Sequence, residues 1–182
     1  MKRKKTELPI RITAALALLA AISIVCGKYL AISGGDILRF SFENLPILFA
    51  AISFGPWLGA LVAVVADLVG CLLVGYAINP LVTLGAMALA ITAGLLYRQL
   101  ARTRVNKTAL IFIVTFSAHL VGSVLIKTFG LSAYYDMPFI VLMLWRLLNY
   151  VIVGGVEASL LSALEASTAV KRATSRIIKG DS

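Results

Sequence analysis

Apolar residues fall along this chain in long unbroken blocks, without the short alternations of a half-buried sheet. A helix needs about 17–25 mostly apolar residues to cross a hydrocarbon core, and most of the blocks reach that length. The pattern predicts a first helix over 9–32, opened by Pro9 and stopped by the pair Gly34-Gly35. A shorter second segment covers 42–54 and closes at Gly55-Pro56. A third covers 57–75, a fourth 80–97, a fifth 108–126 and a sixth 138–166. The sixth is long enough to emerge into the cytoplasm. No internal repeat or low-complexity tract interrupts the series. The expected fold is all-α: an integral membrane six-helix bundle, with residues 1–182 forming a single domain.

Composition agrees with the pattern. Of 182 residues, 60% are apolar and 14% charged, with a mean hydropathy of +0.98. Soluble domains average about 45–50% apolar and about 25% charged, so disorder, a disulfide scaffold and an ordinary cytosolic enzyme are excluded. The net charge of +9 is confined to three places. Lys2, Arg3, Lys4, Lys5 and Arg11 stand at the start, Arg98, Arg102, Arg104 and Lys107 in the middle, and Lys171, Arg172, Arg176 and Lys179 at the end. Such clusters between apolar runs are a topology signal, not the basic stripe of a nucleic-acid binder. Six spans place the N-terminus, the 98–107 linker and the C-terminus all in the cytoplasm. The outer segments then carry Lys28, Arg39 and Lys127 against Asp36, Glu43 and Asp136, which is neutral. The first apolar run is about twice as long as the core of a secretory signal. Val25 before Cys26 does not fit a lipoprotein cleavage site. Cys26 and Cys71 fall inside predicted helices, as small buried hydrophobes.

Motifs for soluble chemistry are missing. There is no phosphate-cradling glycine loop, no His-Glu-x-x-His, no Cys-x-x-Cys and no Gly-x-Ser-x-Gly. One histidine, His119, cannot build a multi-histidine metal site, so neither metal nor cofactor is expected. Asn106-Lys-Thr108 matches a glycosylation sequon but lies on the expected cytoplasmic side.

Ionisable groups at membrane depth are costly and are functional candidates by default. Counted from the outer span ends at about 1.5 Å per residue, Lys28 lies roughly 6 Å in, His119 about 10 Å, Asp67 and Arg146 about 12 Å and Asn149 about 16 Å. The inner half is nearly clean, with Glu157 close to the cytoplasmic boundary. An externally open pocket would produce this clustering. On the sixth helix, Arg146 shares a face with Asn149 and Tyr150, and Trp145 with Asn149. An arginine, an amide and flanking aromatics suit a flat ligand with a carboxylate. Alternatively, Arg146 pairs with Asp67 at equal depth. Tyr76, Tyr134 and Tyr135 near span ends fit either the pocket or an interfacial belt.

The first outer loop, Arg39-Phe-Ser-Phe-Glu-Asn-Leu-Pro, alternates polar and aromatic residues, including Phe42, Glu43 and Asn44. It reads either as a lid over the pocket or as an amphipathic interfacial segment. Small residues recur at four-residue spacing: Ala17 and Ala21 (with Ala14) on the first helix, and Gly59-x-x-x-Ala63 and Ala66-x-x-x-Gly70 on the third. They permit close helix approach, within the bundle or against another subunit.

These residues resemble the substrate-binding S-components of energy-coupling-factor (ECF) vitamin transporters, in particular the folate-type branch. The resemblance is carried by Phe40-Ser-Phe-Glu-Asn-Leu-Pro-Ile, by Phe54-Gly-Pro-Trp-Leu-Gly followed by Ala66-Asp-Leu-Val-Gly, and by Lys127-Thr-Phe-Gly-Leu ahead of Trp145-Arg146. It implies a receptor in a bacterial cell membrane that captures a vitamin, most simply folate, and has no ATPase of its own. Through Ala14, Ala17 and Ala21 it would dock on a transmembrane coupling subunit driven by two cytosolic ATPases. The loop Val74-Gly-Tyr-Ala-Ile-Asn-Pro is shorter than is usual in that family, and Cys71 stands where an aromatic is common. Candidate substrate-binding residues are Lys28, Arg39, Phe42, Glu43, Asn44, Asp67, His119, Lys127, Tyr134, Trp145, Arg146, Asn149 and Tyr150. Pantothenate or another carboxylated vitamin would meet the same description. A stand-alone permease, or an intramembrane enzyme using Asp67 and His119, is the reading from a different class.

Overall fold

A computed structural model describes residues 9–34, 38–135 and 138–179, of which 32–34, 38–39 and 135 are described by backbone alone. Helix α1 (Ile10–Ile24) runs on through a π-helical segment, π1 (Val25–Tyr29). A short hairpin follows, β1 (Ile32–Gly34) paired antiparallel with β2 (Leu38–Phe40), Ser33 opposite Arg39. Next come α2 (Asn44–Ser53), α3 (Pro56–Val74) and α4 (Pro80–Leu100). Helices α5 (Lys107–Ala118) and α6 (Lys127–Tyr135) are joined by π2 (His119–Ile126) into one rod. The chain ends with α7 (Phe139–Ala166) and α8 (Thr168–Lys179).

Five helical stretches are long and apolar enough to cross a membrane: Ile10–Tyr29, Pro56–Val74, Pro80–Leu100, Lys107–Tyr134 and Phe139–Ala166. They correspond to the first, third, fourth, fifth and sixth expected spans. The second expected span is α2, whose 10 residues reach only about 15 Å, half of a hydrocarbon core about 30 Å thick. The geometry around Ser23 accounts for this. Its hydroxyl donates to the Glu43 carbonyl at 2.6 Å, and Ser23 lies about 20 Å along α1, some 9 Å short of Tyr29 at its far end. The chain after β2 therefore descends into the bundle before α2 begins. Non-helical backbone at such depth is tolerated where protein buries it.

Local signals set the element ends. Gly75 adopts a left-handed φ of 70° and stops α3. The Asn79 side chain accepts from the Leu81 N–H at 3.0 Å, with Pro80 in the first turn of α4. Asn106 caps α5 the same way through the Thr108 N–H, so the apparent sequon is a helix start. One end differs from expectation: the fifth helix continues well past 126 as α6. The sixth ends at Ala166 as expected, where Ser167 with a ψ of 123° breaks the helix, and the separate helix α8 that follows was not anticipated.

Packing is inverted relative to a soluble protein. Large apolar side chains such as Leu18, Trp57, Leu72, Leu148 and Ile152 are exposed. The interior combines Leu48, Leu89, Ile111, Val114 and Leu161 with alanines at 50, 51, 60, 63, 90 and 93. It also holds Ser23, Asn44, Thr83, Thr115, His119, Ser123, Lys127, Thr128, Asn149 and Glu157. In lipid, where tails are as apolar as leucine, close backbone approach and internal polar contacts replace hydrophobic burial as the cohesive terms. The third-helix small-residue stripe is internal: a Cβ on Gly59 would lie 2.6 Å from the Ala51 Cα of α2. The first-helix stripe is the opposite, with Ala14, Ala17 and Ala21 all exposed.

Gly59→Val should therefore force α2 and α3 apart. We expect a loss of about 1–3 kcal/mol, read as a lowered thermal midpoint in detergent, whereas Ala17→Val should leave that midpoint unchanged.

Candidate functional site

Polar side chains converge toward the hairpin end of the bundle in two adjoining groups. The first is a small chamber lined by Ser23, Lys28, Glu43, Asp67 and Lys127, with Ile24, Ile47, Ala63, Ala66 and Ala86 between them. Four of the charged residues expected from sequence thus come together. Lys127 donates to Glu43 Oε1 at 3.2 Å and is 5% exposed against 26% for Glu43. Asp67 accepts from the Thr83 hydroxyl at 2.6 Å. Lys28 lies 3.7 Å from Cys71 Sγ and over the Tyr76 ring at 5.6 Å.

Glycines make room for these chains. A Cβ on Gly27 would meet Glu43 Oε2 at 2.7 Å, one on Gly70 would meet Lys28 Cε at 2.9 Å, and one on Gly85 would meet Lys127 Cγ at 2.5 Å. Each long charged side chain thus lies in a notch on a neighbouring helix. The remaining space is ≈ 20 Å³, room for about one water.

The second group is built on the α5–π2–α6 rod and α7. His119 Nε2 lies 2.6 Å from Glu157 Oε2, both side chains fully buried. The Ser123 hydroxyl faces His119 Nδ1 at 3.3 Å, and the Tyr150 ring stacks on the imidazole at 4.7 Å between centroids. Arg146 Nε donates to the Ser123 carbonyl at 3.1 Å, and its guanidinium lies 5.6 Å from the Tyr150 ring centre. Thr115, His119, Ser123 and Lys127 recur every four residues and are all buried. In a regular α-helix, steps of four drift by roughly 40° each. The wider π turns hold the stripe on one face, a known use of such segments at functional sites. Lys127 belongs to this stripe and so links the two groups.

Several sequence expectations need correction. Asp67 and Arg146 do not pair: the first bonds Thr83 and the second the π2 backbone. Arg146 therefore braces the rod rather than lining the chamber. Trp145 is 43% exposed and turns away from both groups. Glu157 is not near a boundary; its bond to His119, about 18 Å along the rod from Lys107, puts it at mid-depth. Of the loop residues, Asn44 is wholly buried with neither amide atom bonded among the described residues, while Phe42 is 39% exposed. Tyr134 is exposed, Asn149 is buried, and the Arg39 side chain lies outside the described residues. Sequence reasoning missed Ser23, Thr83 and Ser123. Their only signal was a hydroxyl inside an apolar run, four, five or sixteen positions from an ionisable residue. A groove of ≈ 180 Å³ borders the second group, lined by His119 and Tyr150 together with Phe116, Leu120, Leu147 and Val151.

The fold and this interior define a multi-span helical membrane protein with a charge-lined chamber toward one end. A family model described as "ECF transporter, substrate-specific component" matches residues 12–171, and the chain belongs to that family. It is accordingly an integral membrane protein that binds a transport substrate, not an enzyme, and its family implies a vitamin-type substrate and an ECF module as partners. No curated protein matches the sequence. Solved structures with the same fold include FolT bound with folic acid, at 22% identity and a TM-score of 0.69, covering 86% of this chain and 93% of that one. An S component of a bacterial ECF transporter matches at 23% identity and 0.64, covering 86% and 96%. The S-component for biotin from an ECF-type ABC transporter matches at 16% and 0.63, covering 92% and 95%.

The buried imidazole–carboxylate pair should be structural. Removing one partner of a buried pair costs about 3–5 kcal/mol, whereas replacing both with apolar residues is often nearly neutral. Glu157→Leu should lower the thermal midpoint strongly, and His119→Leu/Glu157→Leu should recover much of the loss.

Proposed function

We propose that the chamber captures a carboxylated, flat vitamin, with folate as the leading substrate, and that Glu43 holds the seat the ligand carboxylate takes. The Glu43–Lys127 contact carries this reading. A lysine buried among apolar helices needs a counter-charge, and here the strap after β2 supplies one from its own side chain. The chamber left behind is far smaller than the roughly 300–1,000 Å³ of small-molecule sites, so a vitamin enters only as that strap withdraws. Lys28 and Lys127 suit the acidic end of such a guest. Asp67 suits the donor edge of a heteroaromatic ring. Folate is taken from FolT, a structure of the same fold that is bound with folic acid.

Orientation follows from where the basic residues lie. The Arg98 guanidinium packs against the Gly55 turn, and α8 packs on α1 and α7. The 101–106 linker, the Gly55 turn and α8 thus share the end opposite the hairpin. We place that end, with both termini, in the cytoplasm, count α2 with its strap as the sixth crossing element, and put the chamber on the outside. The exposed Ala14, Ala17 and Ala21 are the docking face for the coupling subunit, which two cytosolic ATPases drive.

Calorimetry on the purified chain tests the substrate. Folate should give saturable heat, while heat from pantothenate and none from folate would reject folate. Lys127→Ala should weaken binding at least about tenfold through loss of a charge-assisted contact. Glu43→Gln should instead tighten binding several-fold, because the competing carboxylate is gone; weaker binding in both variants would remove Glu43 from the role of stand-in. Ala17→Trp should abolish co-purification with the coupling module and leave vitamin binding unaltered.

A further inference from the structure

Helix α8 is not accounted for by substrate capture. We propose that it is an in-plane anchor that binds the headgroups of acidic phospholipids at the basic end of the bundle. Its residues divide into two arcs. Ala169, Val170, Ala173, Thr174, Ile177 and Ile178 recur at spacings of three and four along one side. Lys171, Arg172, Ser175, Arg176 and Lys179 occupy the other, and the helix contains no acidic residue. All four cations are exposed.

The apolar arc is only partly covered. Val170, Thr174 and Ile177 are half-buried, and the helix touches α1 and α7, but Ala169, Ala173 and Ile178 remain exposed, Ile178 at 48%. The uncovered flanks and the cationic arc therefore need an environment with an apolar layer directly beneath an anionic one. Covalent geometry supplies it. Ser167 alone separates α8 from the membrane-crossing α7, and its N–H bonds back to the Ala163 carbonyl at 3.0 Å. With Glu157 at mid-depth, α8 begins about 15 Å further along, at the edge of a hydrocarbon core about 30 Å thick. A single residue tethers it there. An amphipathic helix with Lys and Arg on its polar arc lies in that plane, and each cation near an acidic leaflet adds to the attraction.

Acidic lipid, not a protein or a nucleic acid, is the occupant this surface favours. The surface is a single helix of 12 residues, flush with the lipid, with no concavity to hold a peptide.

Hydrogen–deuterium exchange on the full chain in nanodiscs tests this. In discs of phosphatidylcholine with about 30% phosphatidylglycerol, residues 170–178 should exchange at least about tenfold more slowly than in phosphatidylcholine alone. The difference should shrink as salt is raised. The variant Lys171→Gln/Arg172→Gln/Arg176→Gln/Lys179→Gln, which keeps helix propensity, should lose the lipid dependence while exchange in α3 and α4 stays unchanged. Equal exchange in the two lipids, slowing that persists in the variant, or slowing that appears only when a protein partner is added would each overturn the proposal.

Discussion

The ion pair between Glu43 and Lys127 sets the terms for the hairpin end of this protein. Lys127 sits on a rod surrounded by apolar helices and is almost wholly removed from solvent. A charge in that setting is tolerable only with a partner close by. The partner comes from the chain segment that follows the hairpin, pinned at depth by the Ser23 hydroxyl. Because that segment must descend to deliver Glu43, α2 starts at mid-bundle and needs only half a span. One electrostatic requirement thus explains a short helix, a strap of irregular backbone within the membrane, and glycines on three neighbouring elements that clear space for the charged chains.

The two small-residue stripes show how context decides what the same motif does. On α3, Gly59 and Gly70 receive Ala51 and the Lys28 stem, so close approach is used up inside the bundle. On α1 the buried face is Leu16, Ala20, Ser23 and Ile24, continued by Gly27 of π1, and the alanines at 14, 17 and 21 fall on the other side. A smooth, shallow face turned to lipid gains little from lipid itself. It gains from another helix that can approach to backbone distance.

How far the sequence could be read follows from which physical signals survive in one dimension. Long apolar runs and clustered Lys and Arg are signals of that kind, and five of the long helices lie where the runs lie. Lys28 and Asp67 were legible as polar groups in the outer half, and Glu43 and Lys127 as charges of the outer segments, but their meeting in one pocket was not. Nor was partner choice. Depth estimates on uniform α-helices put Asp67 level with Arg146, yet the π segment reorients the residues around it, and Arg146 reaches the Ser123 carbonyl instead. The same irregularity hid the imidazole–carboxylate pair, since His119 and Glu157 lie 38 positions apart. Trp145 did not stay with Asn149 as the i,i+4 spacing suggested: Asn149 is buried while Trp145 is exposed. Helix α8 has too many charges for a hydropathy scan, and only its three-and-four spacing betrays it.

The two polar groups divide labour along one rod. At mid-depth His119 is locked to Glu157 on α7, stacked by Tyr150 and braced through Ser123 by Arg146. Two turns further on, the same face presents Lys127 to a strap whose contacts include the Ser23 hydroxyl bond and a partly exposed ion pair. Stability is not uniform across a fold, and elements that open are drawn from its weakly held parts. On the proposed reading, a fixed cation beside a releasable anion lets a carboxylated guest exchange one ion pair for another, so the buried lysine is never left without a counter-charge. The cost that would otherwise oppose opening the chamber is thereby avoided, and the geometry of the seat is preserved by a part of the rod that takes no part in the exchange.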